Sequence, residues 1–298
     1  MNYIQPRNQP DMEKNMKTLV VLFSLLISLN LYSKSPNYYP ETYNTLLENG
    51  TAPSTEIKNI LFDILNKYHN PQNDDKRDTL SNNCQSEDCY RHRALTYEEA
   101  RVHLFGSMHL EKDDSGYFIK DVYCNKRFTK SAGVAPGRIP NHQRINCEHT
   151  WPQSRFTTTF SREMQKSDLN HLFPTDTKAN SMRGNHPFAD VYGSSVGSGC
   201  NDSSIGSPAK AQRYSKRGGT YFEPPQEHKG NVARALFYFS VRYKISISDT
   251  QERYLRSWHE EDPVDEAEVE RNDMVQDAQG NRNPFVDFPH LVEKVSDF

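Results

Sequence analysis

The densest run of chemically capable side chains is Asn146-Cys147-Glu148-His149-Thr150-Trp151-Pro152-Gln153-Ser154. It is followed by Asp168-Leu169-Asn170-His171-Leu172-Phe173-Pro174 and by Asn180-Ser181-Met182-Arg183-Gly184-Asn185. The Glu148 carboxylate and the Asn180 amide oxygen are hard oxygen ligands. Two such ligands, with the remaining positions left to water and a phosphate, suit Mg²⁺ better than zinc, with Mn²⁺ or Ca²⁺ as alternatives. His149 fits poorly as a ligand in so hard a site. With an ordinary pKa near ~6.5, it is suited to take a proton from water at neutral pH. Arg183 offers a planar fork that matches a phosphate. A base, a metal and a cation are the parts of a metal-assisted phosphodiester hydrolysis. The same residues also fit a plainer description: a surface carboxylate beside a half-buried histidine, an Asn capping a helix and an Arg in a salt bridge. Spacing alone does not choose between the two.

The elements that must carry these groups follow from periodicity and punctuation. Residues 54–68 place Ile57, Ile60, Leu61, Ile64, Leu65 and Tyr68 at helical spacing, with Ser54 positioned to cap. Residues 70–93 are polar and predict a loop. Thr96 and Glu99 form a T-x-x-E capping box, opening a helix that Gly106 stops. Residues 116–124 and the segment ending in Glu148-His149 predict strands. Residues 193–207 are Gly/Ser-rich and predict a long surface loop. A helix with a strong apolar stripe covers 231–243. Ser248 and Gln251 predict another capping box, and Asp262-Pro263 an acidic helix with Pro at its first position. Adjacent residues of a strand point to opposite faces, so Glu148 and His149 share a site only where the strand ends or kinks. Trp151, Trp258, Phe237 and Tyr238 are expected in the core.

Composition narrows the class. The chain has 298 residues and a formal charge of -3, which excludes a uniformly basic nucleic-acid coat. Its 15 Phe, 16 Tyr and 2 Trp supply the apolar surface that a disordered chain lacks. Residues 120–248 hold 19 Lys/Arg against 9 Asp/Glu, whereas 249–298 hold 5 against 14. That asymmetry points to a polyanion-binding face, or to two segments that neutralise each other by packing together. Residues 18–33 form an apolar run of about 15 residues behind Lys14 and Lys17. This is the pattern of a secretory signal, shorter than the ~20 residues of a spanning helix. Met16 would give a more typical start, cleavage is expected near Ser33, and an uncleaved anchor is the alternative. In an oxidising compartment cysteines pair. Of the five, Cys84 and Cys89 enclose a small loop, Cys124–Cys147 is a candidate pair, and Cys200 sits in the Gly/Ser segment.

The strings YEEARVHLF, KDVYC, NCEHTWPQS, SDLNHLFPTDTKANSMRGNHPF, GTYFEPPQEHKGNVARALFYFSVRY, SWHEEDPVDEAEVERND and QGNRNPFVD occur in order over residues 95–288. In these strings the chain resembles the endonuclease I family of exported bacterial nucleases. The resemblance implies an α+β fold with a ββα-metal core, a small antiparallel sheet wrapped by helices and long loops, and one nuclease domain over 34–298. It implies secreted or periplasmic cleavage of DNA, and of RNA, with little sequence preference and 5′-phosphate ends. It also implies Glu148 and Asn180 as metal ligands, His149 as general base and Arg183 on a phosphate. Asn185 closes the N-x-x-R-x-N string in a structural role. Asp168 and His171 are candidate supports, as is Asn170, which stands where many members carry a His. Arg155 and Arg162 are the candidate substrate cations, because the interval that holds an Arg in some relatives is short here. A monomer without a stable protein partner is expected. A secreted ribonuclease of the same fold and a silent nucleic-acid-binding module are the rival readings.

Overall fold

The computed structural model describes residues 37–50, 53–72, 76–209 and 219–298, without the side chains of 54 and 55. The apolar leader and the Ser54 cap therefore lie outside the described residues. Among those residues, no helix is long and apolar enough to cross a membrane.

The packing centre is the helix predicted from its apolar stripe, α6 (Lys229–Tyr243). It is buried on nearly every side, including Arg234 and Arg242. With Lys229, which pairs with Asp190 and Glu223, the helix buries three cations, tolerable only if each is paired or hydrogen-bonded. Arg234 forks onto Glu268 at 2.8 and 2.6 Å, and Arg242 meets His92 at 3.0 Å. Around α6 pack α2 (Ser54–Asn66), α7 (Asp249–Glu261) and the short α9 (Pro284–Asp287). The Arg234–Glu268 pair joins the basic middle of the chain to α8 (Glu266–Gln279) in the acidic tail, so part of the charge asymmetry is neutralised internally. The helix α1 (Glu41–Asn49) precedes this group. The capping box at Thr96 and Glu99 opens α3 (Tyr97–His103), which continues as a π-helical turn over Leu104–Met108 instead of stopping at Gly106.

The strands form small antiparallel sheets among the described residues: β1 (Tyr68–Asn70) with β2 (Thr79–Ser81); β3 (Glu111–Asp113), β4 (Gly116–Lys120) and β5 (Arg127–Phe128); β6 (Ile145–His149) with β7 (Leu172–Asp176); and β8 (Val191–Gly197), β9 (Cys200–Pro208) and β10 (Tyr221–Glu223). The fold is mixed α+β. β7 runs directly into α5 (Thr177–Arg183), so the three motif strings occupy a strand–strand–helix unit with α4 (Arg162–Ser167) on the connection. Helix α10 (Leu291–Lys294) closes the chain.

Five expectations need correction. The predicted loop 193–207 is the β8–β9 hairpin, in which Gly193 faces Gly206 so closely that a Cβ on Gly193 would lie 2.0 Å from the Ile205 carbonyl. The small residues that suggested a loop are there to let two backbones approach. The strand predicted over 116–124 ends at Lys120, because Asp121 turns the chain: its carboxylate accepts from the amides of Tyr123, Cys124 and Lys126. The acidic helix starts at Glu266 behind an Asp265 cap, so Pro263 lies before it, and Ser248 makes no side-chain cap bond with α7. The cysteines also pair differently. Cys84–Cys89 is present, but Cys124 joins Cys200 in the hairpin, and Cys147 is free and buried.

Candidate active site

Strand alternation sets the geometry. Asn146 and Glu148 share one face of β6, and Cys147 and His149 share the other. The strand pairs regularly through His149↔Leu172 and ends there without a kink, so the site straddles a strand end.

On the first face, α5 lies against β6. Its N-terminus is fixed by Asp176, whose Oδ1 accepts from the amides of Lys178 and Ala179, and its C-terminus by Gly184 at φ 55° and ψ -117°, a conformation open only to glycine. Asn180 projects back to β6, where its Nδ2 donates to Asn146 Oδ1 at 2.7 Å and to the Cys147 carbonyl at 3.3 Å. This orientation leaves Asn180 Oδ1 without a hydrogen-bond partner among the described residues. Glu148 is 1% exposed. Its Oε1 accepts from the Tyr123 hydroxyl at 2.9 Å and pairs with Arg183 Nη1 at 3.0 Å, so Oε2 has no partner among the described residues. Burial pushes the Glu148 carboxyl above the ordinary carboxylate range, while Arg183 and the Tyr123 hydroxyl pull it back. A cation would relieve that burial. No cluster of three or more His, Cys, Asp or Glu fit to hold a metal occurs among the described residues. The free donors on this face are two hard oxygens, of the kind that suits Mg²⁺ better than zinc.

Arg183, expected on a phosphate, is placed elsewhere. Its side chain is 2% exposed, and its guanidinium is committed to Glu148, to the carbonyls of His149 (3.0 Å) and Thr150 (2.6 Å), and to the face of Phe188. It organises the Glu148 side of the site and points no donor at solvent.

On the opposite face, His149 Nε2 lies 3.0 Å from the Lys166 carbonyl. A carbonyl only accepts, so Nε2 carries the proton and Nδ1 keeps its lone pair. Burial, with His171 nearby, holds the ring well below the usual histidine range and therefore neutral. Gln153 approaches Nδ1 at 3.4 Å through Nε2, while its Oε1 accepts from Arg162 at 3.1 Å.

The remaining candidates separate. Arg155 and Arg162 are both exposed, and Arg155 donates to the Asn185 carbonyl at 2.9 Å. His171 is fully buried, 5.5 Å ring to ring from His149, with Nε2 on the Gln165 carbonyl. Asp168 and Asn170 sit deeper. Asp168 accepts from Tyr238, Tyr243 and Gln279, each at 2.8 Å, and Asn170 meets Asn281. They anchor the turn before β7 and do not reach the open groups.

The Endonuclease I family model matches residues 77–290. The chain belongs to the endonuclease I family. Among its relatives are an extracellular ribonuclease of Bacillus subtilis, 31% identical over 58% of this chain and 60% of the relative, and one of Bacillus amyloliquefaciens, 33% identical over 50% and 53%. An extracellular deoxyribonuclease of Aeromonas hydrophila is 27% identical over 55% of this chain and 78% of its own. The chain thus spans a little over half the length of the two Bacillus relatives.

This endonuclease I family member also holds site-adjacent residues that sequence reasoning missed. Asn146 was detectable from period-two spacing with Glu148. Gln153 lies one helical turn's spacing beyond His149, but no helix spans them. Tyr123 gave no signal at all, because its partner is 25 residues away. Its loop braces both β6 and α5: Tyr123 holds Glu148, while Asp121 accepts from the Asp176 amide at 3.1 Å and Lys126 pairs with the Asp176 carboxylate at 2.9 Å, at the head of α5.

Proposed function

We propose that this protein is an exported, Mg²⁺-dependent endonuclease of the ββα-metal type, hydrolysing phosphodiesters in DNA and RNA with little sequence preference and leaving 5′-phosphates. The observation that carries this reading is the pair of free oxygens, Glu148 Oε2 and Asn180 Oδ1, presented by β6 and α5, with a histidine of fixed tautomer at the end of the same strand. A divalent cation bound by those oxygens would stabilise charge on the phosphate and the leaving oxygen. His149 takes the proton of the attacking water at Nδ1, because Nε2 is occupied by the Lys166 carbonyl and burial keeps the ring neutral. Arg183 and Tyr123 hold the Glu148 carboxylate in one orientation, and Asn146 holds the Asn180 amide. Arg155 and Arg162 are the exposed cations placed to meet backbone phosphates, so binding should weaken steeply with salt.

The leader pattern and the extracellular or periplasmic relatives support secretion or a periplasmic location. The two Bacillus relatives, named as ribonucleases, favour RNA as a second reading of the main substrate. Cleavage of plasmid DNA, single-stranded DNA and RNA side by side, with Mg²⁺ and with EDTA, tests both. Mg²⁺-dependent cutting of DNA supports the first reading and cutting of RNA alone the second. Cutting that persists in EDTA refutes the metal role.

A further inference from the structure

A groove adjoins the end of β6, lined by Trp151, Arg155, Arg183, Pro187, Ile247 and Gln251 among others, with no acidic side chain on its walls. Arg183 links it to the site, since the same side chain pairs with Glu148. Gln251 is the informative residue. It was expected to fold back as a capping partner of Ser248, yet that cap is absent. It is only 7% exposed, and its amide has no hydrogen-bond partner among the described residues. Lining the groove and spending no bond on a neighbour, the amide keeps its donor and acceptor for something that enters.

The walls describe the visitor. Apolar surfaces such as Pro187 and Ile247 suit the flat face of a nucleobase. An amide carries a donor and an acceptor side by side, as the edge of a base does. Arg155 is exposed and spends one bond on the Asn185 carbonyl, which leaves guanidinium donors for a phosphate. We propose that this groove is a subsite for one unpaired nucleotide flanking the scissile bond, with its base against the apolar wall and the Gln251 amide and its phosphate on Arg155. The inference rests on the nuclease reading and deepens it: a paired base must leave its stack to enter, so single strands are the favoured substrate.

The test needs no turnover. Adenosine 5′-monophosphate and inorganic phosphate are titrated by calorimetry into the full chain carrying His149→Ala, alone and combined with Gln251→Leu or Arg155→Ala. The nucleotide should bind more tightly than phosphate, and each added substitution should weaken it roughly three- to tenfold, the range for one lost hydrogen bond. Gln251→Leu should leave phosphate binding alone. Nucleotide binding indifferent to both substitutions, or phosphate binding as tightly as the nucleotide, overturns the subsite. In the enzyme with His149 intact, Gln251→Leu should raise KM on a single-stranded oligonucleotide by the same factor. If no nucleic acid is cut but nucleotide binding still depends on Gln251, the nuclease reading fails and the groove stands.

Discussion

Replacing Tyr123 by Phe removes one oxygen from the interior and tests the proposed cation role of Glu148. Tyr123 is fully buried, its ring packs on Phe222 at 4.7 Å, and its hydroxyl donates to Glu148 at 2.9 Å. Phe keeps the ring packing and loses only the donor. The bond is charge-assisted, a class that contributes about 1.5–3 kcal/mol. Arg183 remains on the same oxygen, so the carboxylate is loosened and not abandoned. At about 1.4 kcal/mol per factor of ten, the Mg²⁺ concentration for half-maximal cleavage should rise roughly tenfold or more. Burial already raises the Glu148 pKa, and losing a donor raises it further, so the increase should be larger at pH 6 than at pH 8. The assay is initial cleavage rate against Mg²⁺ at both pH values, with urea unfolding as a control for the fold. An unchanged Mg²⁺ requirement in a folded variant would refute the role given to Tyr123 and to the 121–126 turn.

Three other outcomes follow from the same structure. Burial lowers His92 and His171 to about 4 and His228 to about 3, against an unfolded value near ~6.5, so the unfolded chain binds protons first as pH falls. Stability should be flat above pH ~7 and fall below 6.5, by about 2 kcal/mol per histidine at pH 5; equal urea midpoints at pH 7 and 5 would contradict that burial. Cys200→Ser opens a link spanning 76 residues and should cost about 2–4 kcal/mol in urea unfolding, whereas Cys84→Ser, with a separation of 5, should cost less. Glu268→Ala leaves Arg234 charged and buried beside His259 and should cost about 3–5 kcal/mol; a loss under 1 kcal/mol would show that water reaches the guanidinium.

Much of the scaffold was legible because local pattern and tertiary burial agree. The apolar stripe of α6, the capping box of α3 and the strand ending in Glu148-His149 each lie where periodicity puts them. The hairpin β8–β9 was not legible, since Gly and Ser carry no strand propensity. Its strand character comes from the Cys124–Cys200 bond, from the burial of Val196 and Ser203, and from the Gly193–Gly206 contact. The cap of α7 was misread for a related reason: the pattern shows that Gln251 can fold back on Ser248, but not that a groove beside it offers another place. In the site, residue types singled out Glu148, His149 and Asn180, which β6 and α5 carry. Arg183 lies on a buried carboxylate and two carbonyls, which suit an Arg as well as a phosphate does, and only the packing of α5 on β6 separates the two.

The most direct test of the central claim is single-turnover cleavage of a nucleic-acid strand at saturating Mg²⁺, comparing the wild-type chain with a folded His149→Ala variant. A base that acts through Nδ1 should be missed by a factor of at least ~10², with urea stability showing that the variant is folded. Cleavage within a few-fold of wild type would mean that the proton leaves by another route, and that the fixed tautomer of His149 serves packing instead of chemistry.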